Sequence, residues 1–145
     1  MKLSSLEKSL QVIEQLSKNP QGLSLSELTR LLDYPKSTIH HMLKTLVPYG
    51  YVSQDPETKK YRLGFKFLSI RRVLLDSIAI RKIAHKHLRE LHMKCEEVVH
   101  LSVLSNGQLV CLDKIQAPEG GGPVLATYVG FRTDPHAAAS GKILL

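Results

Sequence analysis

Between residues 35 and 47, six polar side chains, Lys36, Ser37, Thr38, His40, His41 and Lys44, share a helix-period segment with the apolar Ile39, Met42, Leu43, Leu46 and Val47. None of the six is acidic. An ordinary surface helix mixes charge signs and carries acids in its first turn, where they suit the macrodipole. Lys36 occupies that turn instead, an electrostatic cost that makes sense where a helix N-terminus approaches phosphate. Ser37 and Thr38 are short enough for phosphates or base edges. Lys36 and Lys44 carry charges that would release counterions from a polyanion. His40 and His41 can hydrogen-bond to either. Downstream, Lys59, Lys60 and Arg62 put three positive charges on one short segment, suited to backbone contact beside a groove.

Other constellations carry less. The seven histidines include His85, His87 and His92, whose spacings of two and five do not align on one helix face, so a metal site is not expected. Cys95 and Cys111 lie sixteen residues apart and read as reduced core thiols. Ala137-Ala138-Ala139-Ser140-Gly141 is a run of small residues at a helix start. It would let a ligand approach backbone N–H groups, which suits a carboxylate, or let the helix pack closely on a sheet. There is no nucleophile elbow, phosphate loop or acid–base pair. Neither an enzyme nor a bound cofactor is expected.

These residues need elements to hold them. Leu6, Leu10, Ile13 and Leu16 have helical spacing over residues 5 to 18, with Ser4 or Ser5 to cap the start and Asn19-Pro20-Gln21-Gly22 to end it. Ser24-Leu25-Ser26-Glu27 is a capping box opening a second helix to residue 32, with Leu25, Leu28, Leu31 and Leu32 as its buried face. Ser24 serves that cap, and its neighbour Ser26 is placed to touch phosphate. Asp33-Tyr34 makes a turn, and Pro35 fits the first turn of the third helix, where a missing N–H costs nothing. A brace helix, a tight turn and a helix exposed along one side make a helix-turn-helix. Residues 51–53 and 61–63 then form a hairpin, the wing, around the polar turn 55–60.

Residues 65–95 return to helical period and divide into a linker helix and a longer helix to about Met93. Then the period drops to two. Residues 98–104 and 108–115 are strands around Asn106-Gly107, a strong hairpin turn. Residues 117–123 are a glycine-rich loop, 124–129 a third strand, and 135–145 a helix. Three strands and two helices leave a sheet face without enough cover, so the second domain is expected to be incomplete here.

Charge divides the chain the same way. Residues 1–75 hold 12 basic and 6 acidic residues, and residues 76–145 hold 8 and 7. The first half owns the basic surface, as a partner of a polyanion should. No run approaches the ~18–20 apolar residues of a membrane span, and the N-terminus has no apolar signal region, so a cytoplasmic location with no membrane partner is expected.

Taken in order, Ser-Leu-Ser-Glu-Leu, Tyr-Pro-Lys-Ser-Thr, Gly-Tyr-Val and Tyr-Arg-Leu-Gly resemble the N-terminal domain of IclR-type bacterial transcription regulators. Glu96-Glu97-Val98-Val99-His100-Leu101 resembles the first strand of that family's effector domain, and Gly130 to Lys142, containing Pro135-His136 and Gly141-Lys142, resembles its signature. The resemblance spans almost the whole chain. It implies an α+β protein: a winged helix-turn-helix over 1–66, then over 67–145 a linker helix and the N-terminal part of a GAF-like α/β effector-binding domain.

It also implies homodimers or homotetramers held by the N-terminal domains, double-stranded operator DNA with (pseudo)palindromic symmetry, and a small-molecule effector such as an organic acid or aromatic compound. DNA contacts are then expected from Ser26, Lys36, Ser37, Thr38, His40, His41, Lys44, Lys59, Lys60 and Arg62. Effector contacts are expected from Ala138, Ala139, Ser140 and Gly141. One departure matters: His41 stands where the family usually has arginine, the better bidentate reader of guanine, so operator preference is expected to differ there. The expectation is a ligand-responsive regulator, a repressor, in which effector binding shifts the linker helix at 65–75 and so the spacing of two recognition helices. The rival is a winged helix that binds protein, with weak, non-specific affinity for DNA.

Overall fold

The computed structural model describes residues 4–116 and 126–145. The chain divides into two compact units, residues 1–72 and 73–145. The glycine-rich segment 117–123 and the first two residues of the expected strand 124–129 fall outside the described residues.

In the first unit, α1 (Ser5–Lys18), α2 (Leu25–Leu32) and α3 (Lys36–Leu46) precede a hairpin of β1 (Val52–Gln54) and β2 (Tyr61–Leu63). Local chemistry starts the first two helices. Ser4 and Glu7 form a capping box on α1, and Ser24 and Glu27 form one on α2, where Ser24 Oγ accepts from the Glu27 amide at 3.2 Å and the Ser24 amide donates to Glu27 at 2.7 Å. These bonds hold the Glu27 carboxyl below its ordinary pKa. Asp33 ends α2 in the left-handed conformation, at φ 54°.

Val12 and Leu16 of α1, Leu28 of α2, and Ile39, Met42 and Leu43 of α3 meet Leu23, Val52 and Tyr61 in one core, with Leu25, Leu32, Tyr34 and Leu46 packed around it. Two expectations change here. Leu31 is half exposed rather than part of the buried face, and Val47 caps α3 at the surface. An apolar residue at the edge of a helical stripe is buried only if another element reaches it, and among the described residues none covers these two.

The hairpin is tied to the helices by backbone. Leu23 and Tyr61 exchange N–H···O bonds of 2.9 and 2.7 Å, so the segment before α2 becomes a third rung beside β2. At the other end a Cβ on Gly64 would lie 2.1 Å from the Gly50 carbonyl oxygen, and the Gly64 amide donates to Tyr51 O at 2.8 Å. Only glycine permits that approach.

The helix α4 (Lys66–Ser77) contains the division between the units. In the second unit α5 (Ala79–Cys95) precedes an antiparallel sheet of β3 (Val99–Ser105), β4 (Gln108–Ile115) and β5 (Arg132–Thr133), in the order β3-β4-β5. Asn106 and Gly107, at φ 50° and 74°, make the expected tight turn. A register shift at Leu101/Ser102 leaves Leu112 without a partner in β3, so Cys111 and Asp113, paired with Ser102 and Leu101, face opposite sides of the sheet. Asp113, nearly fully buried, takes His85 Nδ1 at 2.8 Å and Arg81 at 3.5 Å, and Arg81 Nε also donates to Leu112 O at 3.2 Å. Two side chains one helical turn apart thus clamp α5 to β4.

Among the described residues the third strand is β5 at Arg132–Thr133, and residues 126–128 of the expected strand are irregular. The expected C-terminal helix is two pieces, a 3₁₀ turn (Pro135–Ala137) and α6 (Ala139–Leu144), separated by Ala138 in an extended conformation. The break brings Gly141 onto the turn, where a Cβ would meet Pro135 O at 2.1 Å.

Candidate nucleic-acid interface and effector cavity

The start of α3 differs from those of α1 and α2. Pro35 stands at its N-cap with no side-chain cap, and no acid lies in the first turn. The Thr38 and Ile39 amides both donate to Pro35 O, at 2.9 and 3.2 Å, while those of Lys36 and Ser37 have no partner among the described residues. Lys36, Ser37, His40, His41 and Lys44 are exposed, and Thr38 is half-buried at the edge of the core face. Lys36 and Lys44 make no ion pair with any described residue. Ser26 is exposed in the first turn of α2.

The wing is a built turn. Asp55 Oδ1 accepts from the Glu57 and Thr58 amides at 3.1 and 2.8 Å, and Gln54 Nε2 donates to Lys59 O at 3.1 Å. The bonds from Thr58 hold the Asp55 carboxyl below its ordinary pKa. Lys59 sits at φ 57°, exposed and without an ion pair among the described residues. Lys60 is half-buried, close enough to Glu27 for its charge to favour that carboxylate. Arg62 is partly committed inside the unit, 3.9 Å from Asp55 and 3.4 Å from Gln21 O. Of the cations expected to meet DNA, three are therefore exposed with no ion pair among the described residues: Lys36, Lys44 and Lys59.

The second unit contains a cavity of about 260 Å³ on the sheet face away from the Asp113 clamp. His100 and Ser102 of β3, Leu109 and Cys111 of β4, Thr133 of β5 and the preceding Phe131 form its floor and wall, with Thr127, Ala137, Ala138 and Ser140 at its side. Of the expected effector residues, Ala138 and Ser140 line this cavity. Ala139 is exposed, and Gly141 is buried beneath the Pro135 turn. Sequence reasoning missed His100 and Thr127 as a pair. His100 Nε2 is hydrogen-bonded to Thr127 Oγ1 at 2.7 Å, and Lys114 Nζ donates to Thr127 O at 2.8 Å. Burial, and then the Lys114 charge, holds the His100 imidazole below its ordinary pKa. Burial likewise pushes the Cys111 thiol up, which keeps it protonated and unreactive. No group of described His, Cys, Asp and Glu residues could hold a metal ion, and no described helix is long and apolar enough to cross a membrane.

Comparison with known proteins gives both units a relative. The family model of the IclR helix-turn-helix domain matches residues 5–56, and that of the bacterial transcriptional regulator IclR C-terminal domain matches residues 73–145. The HTH-type transcriptional regulator XynR of Escherichia coli K12 is 33% identical over 143 residues, covering 99% of this chain and 56% of its own length. The DNA-binding transcriptional repressor YiaJ of the same strain is 33% identical over 143 residues, covering 97% and 50%. Among solved structures, the Thermotoga maritima IclR is similar with a TM-score of 0.75 at 27% identity, over 95% of this chain and 55% of that one. The chain spans about half the length of the curated relatives it matches.

Proposed function

The chain belongs to the IclR family of bacterial transcriptional regulators, and we propose that it is a ligand-responsive repressor of a metabolic operon. The first unit binds operator DNA. Helix α3 enters the major groove, with Lys36, Ser37, Thr38, His40, His41 and Lys44 toward the duplex, while Ser26, Lys59, Lys60 and Arg62 approach the flanking phosphates. The observation that carries this is the start of α3: an uncapped, acid-free first turn with two unpartnered amides and an unpaired lysine. A turn of that kind attracts an anion.

On this proposal residues 1–66 are the DNA-binding module and 67–145 the linker helix and part of the sensor. Phe65 and Leu68, both exposed, give the first unit an apolar surface suited to a second copy, in a homodimer or homotetramer. A dimer presents two recognition helices to a pseudo-palindromic operator. The cavity beside Ala138 and Ser140 takes a small-molecule effector, whose binding shifts the linker and the helix spacing.

The test is selection of bound genomic fragments, followed by footprinting. A protected site with two related half-sites, one or more helical turns apart, is expected. Equal affinity for all fragments at one salt concentration would overturn the proposal and leave the protein-binding winged helix in its place.

A further inference from the structure

Resting on the reading of the second unit as a sensor, we propose that its cavity takes a small polyhydroxylated ligand, a polyol or the hydroxyl-bearing end of a sugar derivative, and that the His100–Thr127 pair selects it. The argument begins with the lining. Ser102, Thr127, Thr133 and Ser140 bring four hydroxyls to a space of about 260 Å³. Those of Ser102, Thr133 and Ser140 make no hydrogen bond among the described residues. Each is both donor and acceptor, the matching chemistry for another hydroxyl. The volume lies just below the ~300–1,000 Å³ common for small-molecule sites, room for a small ligand or one end of a larger one.

Charge decides against an acid at this wall. No charged side chain is among the described residues that line it. Lys114, on the neighbouring strand position, is turned to the Thr127 carbonyl instead. A carboxylate accepts but cannot donate, so it leaves the acceptor side of these hydroxyls unserved, and the nearby Lys114 ammonium is already hydrogen-bonded to Thr127 O. The imidazole of His100 is kept neutral by burial and by Lys114, so it offers one acceptor or one donor rather than a charge. A flat apolar ligand fares no better, because it would cover three unpaired hydroxyls and give them nothing. Leu109 and Phe131 supply apolar wall for the C–H faces of a polyol, which leaves the hydroxyls of the ligand for the polar side.

The inference is tested on the whole 145-residue chain by titration calorimetry with erythritol, ribitol, pyruvate and benzoate. Saturable binding of erythritol or ribitol is expected. His100→Leu should weaken it at least about tenfold, and Thr133→Val by roughly threefold to tenfold, the range of one lost hydrogen bond. Far-UV circular dichroism checks that each variant is folded. Should Thr133→Val alone fold, its loss of polyol affinity is the deciding measurement. Binding of pyruvate or benzoate without the polyols overturns the ligand class and leaves the sensor reading intact. Polyol binding unaffected by either variant overturns the assignment to this cavity. No binding by any of the four overturns the polyol class and leaves the sensor reading intact.

Discussion

Removal of Lys36 and Lys44 together gives the sharpest measure of the DNA contact. Both side chains are exposed on α3 and make no ion pair with a described residue, so their charge is available to phosphate without breaking an internal bond. Each phosphate neutralised contributes about 0.9 to the slope of log K against log salt on duplex DNA. The Lys36→Ala, Lys44→Ala double variant should therefore flatten that slope by about 1.8. At ~0.15 M salt each lost contact lowers log K by roughly 0.7, so affinity should fall about 30-fold from the two together. Lys59→Ala should add a further change of about 0.9 in slope, whereas Arg62→Ala should change it less, because Arg62 is already engaged by Asp55 and Gln21. Mobility-shift titrations at four salt concentrations read both quantities, with Lys94→Ala in the second unit as the control. A slope unchanged in the double variant, or changed equally by the control, would refute the placement of α3 against the duplex.

Three further outcomes follow from the geometry. Ser24→Ala removes the acceptor that caps α2, and thermal melting should show a loss of about 1 kcal/mol, near 4–8 °C for a unit of this size; an unchanged midpoint would mean the box contributes nothing. Gly64→Ala forces a Cβ against the Gly50–Tyr51 backbone and should destabilise the first unit by roughly 2 kcal/mol or more in urea melts, whereas Gly107→Ala meets no atom within 4 Å and suffers only its positive φ, about 1 kcal/mol. His100 is held neutral in the folded chain, so the unfolded chain binds its proton more readily. The stability it contributes is present above about pH 6.5 and is lost as pH falls below that value; urea melts at pH 7.5 and 5.5 should show a smaller difference in His100→Gln than in the parent.

The first unit was largely legible in the sequence because its signals are local. A capping box is four consecutive residues, and a polar helix face is a spacing. Ser24 with Glu27, and Lys36 through Lys44, therefore sit as expected. Burial was less legible. The pattern of Leu25, Leu28, Leu31 and Leu32 says which side of α2 is apolar, but not that the core stops short of Leu31.

In the second unit the controlling contacts are distant in sequence. β5 is defined by its pairing of Thr133 with Leu109 and Arg132 with Val110, and a run of apolar residues at 124–129 carries no trace of that register. The division of the last helix depends on Gly141 meeting the Pro135 carbonyl. Of the expected effector residues, Ala138 and Ser140 reach the cavity as small residues at a helix start, while the His100–Thr127 pair spans twenty-seven residues and has no local signature. His85 likewise has no meaning until Asp113 is brought beside it.

The open start of α3 gives the protein an internal reporter. In the free chain water must serve the amides of Lys36 and Ser37, so their hydrogens should exchange fast, unlike those deeper in the same helix. When a phosphate oxygen takes water's place, the polymer becomes the missing first turn of the helix, and the same two hydrogens should slow. Their exchange would then register occupancy at the groove without any label. Read at Lys36 and Ser37 while a ligand is titrated into the second unit, it would show directly whether filling the sensor loosens the hold on DNA.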